Sequence, residues 1–249
     1  MSGHSKWATT KHHKAAQDAK KAKTFNKLAR EITVSAKAGG PDPEHNSALR
    51  NAIVSARSQS MPNDRIKKAI EVAIGNADGA NYEEIRYEGY GPGGVAVIVE
   101  ALTDNRNRTA GDVRSAFTKN GGNLGETNSV SFMFEKIGSI VYPLTVASED
   151  AVFEKAIEAG ADNLDTSEGN YEIITTQADF IKVKEALVKQ LGNPESGDVI
   201  WKPKTNTMIN FDQAQSLLRL IDVLEDLDDV QKVFTNFDVS EEDMAKLDA

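Results

Sequence analysis

The spacing of hydrophobic residues changes near residue 78, and this change constrains the fold more than any other feature of the sequence. Before that point, apolar side chains such as Phe25, Leu28 and Ile32 recur every three or four residues, which is the spacing of one buried helix face. The pattern is interrupted at Gly39-Gly40-Pro41 and again at Pro62, as expected for residues at helix ends and starts. The three predicted helices lie between Asp18 and Gly75, with starts at Asp42-Pro43 and at Pro62-Asn63-Asp64.

After residue 78, strand-like runs alternate with helical ones, which is typical of an α+β protein. The run from Val95 to Leu102 is the most apolar in the chain and predicts a strand at the centre of a sheet. Between residues 136 and 204 the predicted order is β-α-β-β-α-β, the ferredoxin-like unit. Strands predicted at Ser129 to Glu135 and at Thr207 to Phe211 lie on either side of it and belong to a second unit of this kind.

These elements predict an α+β, multi-domain fold: an N-terminal three-helix domain followed by two ferredoxin-like α+β domains, one inserted in the other. An insertion between neighbouring strands is tolerated because the ends of their loop already lie close together. The expected domains are residues 1–78, which are basic and helical; residues 79–135 together with 205–249, a discontinuous α+β domain; and residues 136–204, the inserted ferredoxin-like domain.

Charge is distributed unevenly along the chain. The net charge is −9, yet Met1–Gly75 carries 14 Lys and Arg against 6 Asp and Glu, a net of +8. The remaining residues carry 15 basic and 32 acidic side chains, a net of −17. A basic segment joined to an acidic remainder indicates a protein that binds nucleic acid through its basic part. The alternative is a lysine-rich helix that is merely solvated.

Several protein classes are disfavoured by what the sequence lacks. There are no cysteines, which excludes disulfides, thiol catalysis and cysteine-ligated zinc. No apolar run reaches the length of a membrane span, and the first residues lack the apolar core of a signal peptide. We therefore expect a cytoplasmic protein with no membrane partner.

Two patterns could indicate an enzyme, but neither has the context that catalysis needs. Gly89 to Gly94 matches a G-x-G-x-x-G string, yet a strand follows it where a dinucleotide site requires a helix. All four histidines fall between His4 and His45, and the adjacent His12 and His13 would point about 100° apart on a helix, which makes a poor metal pair. We predict no catalytic residue, no metal site, no cofactor and no small-molecule substrate.

Candidate nucleic-acid contacts are concentrated in the basic N-terminal segment, where lysines can neutralise phosphates. Trp7 can stack on a base or anchor the segment in the core. The candidate contacts are Lys6, Trp7, Lys11, His12, His13, Lys14, Lys20, Lys21, Lys23 and Lys27. Arg106 and Arg108 join them because they lie at a predicted helix start, where arginines and free amides can bind phosphate. Pairing of these arginines with the acidic remainder is an equal alternative.

The glycine-rich turn that contains Gly89, Tyr90, Gly91 and Pro92 is interpreted as a hairpin loop. Pro92 has no amide hydrogen to offer a phosphate. A flexible loop that carries a tyrosine can nonetheless reach a partner molecule, so these four residues are predicted to form a partner-facing loop. Gly121 to Gly125 is predicted to be a turn only.

The acidic stretch from Asp222 to Asp229 would repel a phosphate backbone at short range. We expect it to face away from nucleic acid or towards basic protein. Its predicted core-facing residues are Leu220, Val223, Leu224 and Leu227.

Three sequence strings, in order, resemble the YebC family: Gly3-His4-Ser5-Lys6-Trp7 with the lysine-rich run after it, Tyr87-Glu88-Gly89-Tyr90-Gly91-Pro92, and Thr103-Asp104-Asn105-Arg106-Asn107-Arg108-Thr109. The resemblance covers essentially the whole chain and implies a helical domain followed by two α+β domains, with a role in gene expression and no catalysis. Bacterial members are generally labelled probable DNA-binding transcriptional regulators, mitochondrial relatives are translational activators, and some bacterial members are linked to the ribosome. Because the sequence begins directly at the family motif, the bacterial form is expected.

The function predicted from the sequence is non-enzymatic regulation of gene expression through nucleic-acid binding. Lysines outnumber the Arg, Asn and Gln side chains that read base edges, and the acidic remainder would repel a long DNA duplex. We therefore favour ribosomal RNA, with the ribosome as a partner and translation as the process. A DNA-binding transcriptional regulator is the main alternative. A protein adaptor and a histidine-dependent nuclease are lesser ones.

Overall fold

The computed structural model describes residues 17–75, 82–166 and 169–247. Its first region consists of α1 (Gln17–Gly39), α2 (Ser47–Ser58) and α3 (Asn63–Ile74). They pack around an apolar core that includes Ile32 and Leu49. The helical start predicted from the sequence is thus present, and no described helix is both long and apolar enough to cross a bilayer.

The start of α2 differs from the prediction. Asp42-Pro43 lies in a turn, and the N-cap is Asn46, whose side chain accepts a hydrogen bond from the amide of Leu49 at 3.0 Å. The Asn46 amide group also donates to the carbonyl oxygens of Ser35 and Gly40. A buried asparagine therefore joins the two helices as well as capping the second, which a Pro at the helix start could not do.

The first sheet region combines segments from both sides of the second one. Its elements are β1 (Glu83–Tyr90), β2 (Ala96–Thr103), α4 (Arg106–Lys119), β3 (Asn123–Leu124), α7 (Phe211–Asp226) and β9 (Val230–Thr235). The sheet has the strand order β3-β1-β2-β9 and is antiparallel throughout. The predicted central strand is confirmed, because β2 lies inside this sheet and is buried along almost its whole length. Two helices, α4 and α7, contribute to the core on one face of the sheet.

The second sheet region lies between β3 and α7 in sequence. Its elements are β4 (Phe134–Pro143), α5 (Glu149–Ala159), β5 (Asn163–Asp165), β6 (Asn170–Thr176), α6 (Phe180–Leu191) and β7 (Ser196–Pro203). The sheet has the antiparallel order β5-β6-β4-β7. Numbered within the unit, this order is 2-3-1-4, that of a ferredoxin-like fold with its two helices between strands. The predicted α+β class, with three helices before two α+β sheet regions, is confirmed.

Two strands predicted for the first sheet do not form in it, and one of its strands lies in a segment predicted as a turn. Ser129 to Glu135 was predicted as a strand, but it holds a bend and a 3₁₀ helix (Ser131–Met133) before β4 begins at Phe134. Thr207 to Phe211 was also predicted as a strand, yet only β8 (Thr207–Met208) forms there and pairs with β10 (Phe237–Asp238) in a separate ribbon. The glycine-rich segment predicted as a turn contains β3. The place of a third ferredoxin-like strand is taken by β1, which lies between β3 and β2. The last described helix is α8 (Glu241–Leu247).

Candidate nucleic-acid interface

One face of α1 binds the C-terminal end of α7. The Lys23 ammonium donates to the carbonyl oxygen of Asp226 at 3.0 Å and lies 3.2 Å from its carboxylate. Lys27 donates to the carbonyl oxygen of Glu225 at 2.7 Å. The last carbonyls of a helix lack partners within the helix and carry partial negative charge, so lysines bind well there. Two of the predicted nucleic-acid contacts, Lys23 and Lys27, are therefore engaged within the chain.

Burial shifts the pKa of Lys27 more than the negative charges of the neighbouring acidic residues do. Removal of its ammonium from water lowers the pKa of Lys27, while the negative charges of Glu225 and Asp226 oppose that shift only in part. Lys27 is thus a partly desolvated cation, whereas Lys23 at the edge of the contact remains 40% exposed.

Asp229 is a buried carboxylate that joins α1, β2 and α4. One oxygen accepts from Arg30 on α1 at 2.8 Å. The other accepts from Arg108 at 2.8 Å and from the hydroxyls of Thr109 at 2.7 Å and Thr103 at 3.2 Å. Burial alone would raise the pKa of Asp229, but the hydrogen bonds from Arg108 and Thr109 and the charges of both guanidinium groups outweigh it, so the pKa lies below its ordinary value.

The two predicted arginine contacts on α4 have different surroundings. Arg108 pairs with Asp229 and with Asp104, the latter at 2.9 Å. Hydrogen bonds from its guanidinium to these carboxylates raise the pKa of Arg108. Arg106 is more exposed and lies 3.6 Å from Glu83. Both arginines therefore pair with the acidic remainder, Arg108 with two carboxylates and Arg106 with one at a longer distance. Their assignment as phosphate contacts stays a prediction.

The exposed basic residues of the helical region include some that sequence reasoning did not single out. Lys21, Arg57, Lys67 and Lys68 are exposed, and none of them forms an ion pair with residues in the described ranges. On α3, Arg65 contacts Asn26 and the ring of Phe25 on α1. Lys68 lies one turn after Arg65 on α3, and Lys21 lies one turn before Phe25 on α1. In the sequence, the adjacent Lys67 and Lys68 were the pattern that could have indicated these additional basic residues.

The most basic part of the predicted site lies outside the described residues. This applies to Lys6, Trp7, Lys11, His12, His13 and Lys14. For Lys20 the structure describes the helix backbone alone. Their assignment as nucleic-acid contacts stays a prediction.

The predicted partner-facing loop is packed against α7. A Cβ atom on Gly91 would lie 2.7 Å from the side chain of Leu217, and one on Gly93, where φ is +77°, would lie 2.5 Å from Ile209. The Tyr90 hydroxyl donates to the carbonyl oxygen of Ser129 at 3.2 Å. The backbone of the loop is therefore fixed by close contacts. Pro92 and part of Tyr90 remain accessible, while Gly89 lies against β3.

Two further ion pairs connect elements of different regions. Arg50 on α2 forms an ion pair with Glu185 on α6. Lys232 on β9 lies 2.5 Å from Asp198 on β7 and joins the two sheet regions. Burial in this region raises the pKa of Glu31 on α1, although Lys232 opposes the shift. Together with the pairs that α1 forms with Asp226 and Asp229, these ion pairs connect the helical region to both sheet regions.

The acidic segment was predicted to face away from nucleic acid or towards basic protein. Its C-terminal end faces the basic helix of the same chain. Leu220 and Leu224 are buried as predicted, but Val223 is 40% exposed. In the described part of the chain, no group of three or more His, Asp or Glu side chains is placed to hold a metal ion.

Comparison with known proteins decides the family. Residues 5–76 match the family described as the TACO1/YebC protein N-terminal domain, and residues 82–237 match the TACO1/YebC second and third domain. The chain belongs to the TACO1/YebC family. A conserved hypothetical protein, Aq1575 from Aquifex aeolicus, is similar in structure, with a TM-score of 0.82 and 46% sequence identity over 93% of this chain and 96% of that one. The family that matches residues 82–237 also carries a transcription-regulator label.

Proposed function

We propose that this TACO1/YebC protein is a non-enzymatic regulator of gene expression that binds ribosomal RNA through its basic N-terminal region. The observation that supports this best is the group of exposed cations Lys21, Arg57, Lys67 and Lys68, which lack ion pairs in the described ranges. They follow a segment with three further lysines, Lys6, Lys11 and Lys14. Exposed cations that bind a phosphate backbone release its counterions, and this release supplies most sequence-independent affinity.

The acidic remainder favours a compact RNA surface over a long DNA duplex. Glu149, Asp150, Glu154 and Glu158 are all exposed on α5. A duplex that extended from the basic region past these carboxylates would be repelled. A ribosomal surface offers phosphate and basic protein side by side, and so can meet both signs of charge. This complementarity is the reason for choosing ribosomal RNA.

The test compares two variants with the same reduction in charge. One has Ala in place of Lys11, Lys14, Lys20 and Lys21. The control has Ala in place of Arg114, Lys119, Lys182 and Lys189, which are exposed and outside the basic region. Binding to a ribosomal RNA fragment is measured by fluorescence anisotropy over a range of salt concentrations. We expect the first variant to bind at least a hundredfold more weakly, with a log–log salt slope flatter by roughly 0.7–0.9 for each phosphate that is no longer neutralised.

Equal binding by the two variants would remove the basis for the proposal. The choice of RNA is tested separately by sedimentation of cell extract at near-physiological salt. Absence from ribosomal fractions, combined with a promoter bound at least about a thousandfold more tightly than competitor DNA, would favour a different function. That second candidate is DNA-binding transcriptional regulation, and the label of the matching family model favours it.

A further inference from the structure

Lys23, Lys27 and Arg30 form a row of cations along one face of α1, called here the α1 cation row. Their spacing of four and three residues brings them to the same side of the helix. At a rise of about 1.5 Å per residue, the row is about 10 Å long. Each strand of B-DNA carries a phosphate about every 3.4 Å along the axis, and RNA strands are similarly dense in charge. A phosphate backbone can therefore present an oxygen to every member of the row.

The partners of the α1 cation row are oxygens from the end of α7 and the residues just after it. They are the carbonyl oxygens of Glu225, Asp226 and Asp228 and the carboxylates of Asp226 and Asp229. Helix-end carbonyl oxygens and neighbouring carboxylates supply closely spaced negative charge. A phosphate backbone supplies the same kind of charge.

We propose that the end of α7 occupies the α1 cation row as an internal substitute for a nucleic-acid backbone, so that α7 and bound RNA compete for these three side chains. This inference rests on the proposed nucleic-acid function and adds a second binding surface to it. In the absence of RNA the row is covered by α7. When RNA engages the exposed cations of the helical region, its phosphates replace the α7 oxygens.

The contact between the α1 cation row and α7 is weaker at one end than at the other, and this determines where RNA phosphates first replace the α7 oxygens. At one end, the side chains of Lys23 and Asp226 are 40% and 65% exposed, and an ion pair in water at this exposure contributes little. At the other end, the side chains of Arg30 and Asp229 are only 20% and 8% exposed. Exchange therefore begins at Lys23, the residue of the row that is nearest in sequence to Lys20 and Lys21.

The experiment is a mutant cycle on the exposed end of the row. Asp226→Lys repels Lys23 and should release it from α7. This position is exposed at a helix C-terminus, where a cation is tolerated. Glu126→Lys makes the same charge change at another exposed position of the first sheet region and serves as the control. Each change is made alone and together with Lys23→Ala, and Asp226→Asn is a milder substitute should the lysine variant fold poorly.

The probe is a mixed-sequence RNA hairpin titrated at several salt concentrations. We expect Asp226→Lys to bind at least tenfold more tightly than wild type, and Glu126→Lys to change affinity less than threefold. Lys23→Ala should lower RNA affinity less than twofold in the wild-type background, where Lys23 is covered by α7. In the Asp226→Lys background, where Lys23 is released from α7, it should lower RNA affinity more than fivefold. Such non-additivity measures the coupling directly.

The two proposals fail in different ways. If RNA binds, but Lys23→Ala has the same effect in both backgrounds, or Asp226→Lys and Glu126→Lys are equivalent, competition with α7 is wrong and the proposed function stands. If no variant, wild type included, binds the hairpin or ribosomal RNA, both proposals are overturned.

Discussion

Replacing Asp229 by Ala removes the carboxylate that joins α1 to β2 and α4. The change leaves the guanidinium groups of Arg30 and Arg108 without their shared partner. It also removes an acceptor from the buried hydroxyls of Thr103 and Thr109. Thr109 retains acceptors in Asn105 and Thr103, at 3.1 and 2.8 Å. Arg108 also retains Asp104 as a partner, at 2.9 Å. The main cost is therefore the positive charge of Arg30, which is left without a carboxylate, and not an orphaned hydroxyl.

The size of the effect follows from the exposure of the two arginines. Breaking a buried ion pair by removal of one partner typically costs about 3–5 kcal/mol. The side chain of Arg30 is 20% exposed and that of Arg108 is 48% exposed, so water recovers part of the cost at Arg108. We expect Asp229→Ala to lower the free energy of unfolding by about 3 kcal/mol. Asp228→Ala is the matched control, because its carboxylate is exposed and only its carbonyl oxygen contacts Arg30. It should change stability by less than about 0.5 kcal/mol.

The assay is urea denaturation followed by circular dichroism, with the slope compared between variants to check that the transition is the same. The pH dependence supplies a second readout. Because the folded-state pKa of Asp229 is depressed, its contribution is fully present above the pKa of the unfolded carboxyl, about 3.9. It is lost as pH falls through the lower folded-state pKa. The difference between wild type and Asp229→Ala should therefore hold from about pH 5 to 8 and shrink below about pH 4. A difference of less than about 1 kcal/mol from Asp228→Ala at neutral pH would refute this reasoning.

Three further predictions concern other parts of the chain. Gly93→Ala should destabilise more than Gly94→Ala, because both have positive φ but only Gly93 would clash, with Ile209; equal melting temperatures would contradict this. Burial raises the folded-state pKa of Glu31, so its carboxylate lowers the stability of the fold once pH rises high enough to ionise it. Glu31→Gln should therefore raise the melting temperature at neutral pH and lose that advantage at about pH 4, where Glu31 is protonated. A fragment of residues 134–204 should melt cooperatively and fail to bind RNA, within the marginal stability of about seventy residues; a non-cooperative melt would count against independent folding.

The helices and the ferredoxin-like order of the second sheet could be predicted because local spacing determines them. Phe25, Leu28 and Ile32 recur at helix intervals, and Ile32 is buried. β2 is apolar along most of its length, and both of its faces are covered. The strand predicted at Ser129 to Glu135 fails for a non-local reason. The buried carboxylate of Glu88 accepts the amides of Val130 and Ser131, at 2.9 and 2.8 Å. Those amides cannot join a sheet, and nothing near them in sequence indicates it.

The candidate site was only partly predictable for a similar reason. Lys23, Lys27 and Lys21 look alike in the sequence, and all three lie in a basic stretch. Whether a lysine is free depends on Glu225 and Asp226, about 200 residues away. The positions of these oxygens follow from the packing of α7 against the first sheet. Charge composition therefore identifies the basic region, and tertiary structure separates its covered lysines from its exposed ones.

The pairing of β2 with β9 has a consequence for synthesis of the chain. About 130 residues separate these neighbouring strands, so at about 5–20 residues per second β2 is made roughly 6–25 s before its partner. During that interval an apolar strand has one unpaired edge, which can template aggregation. The residues of the second sheet are synthesised within the same interval, and all of its strand partners lie within that segment. The order of emergence thus makes the nascent first sheet the vulnerable intermediate, and makes β9 the segment whose arrival protects it.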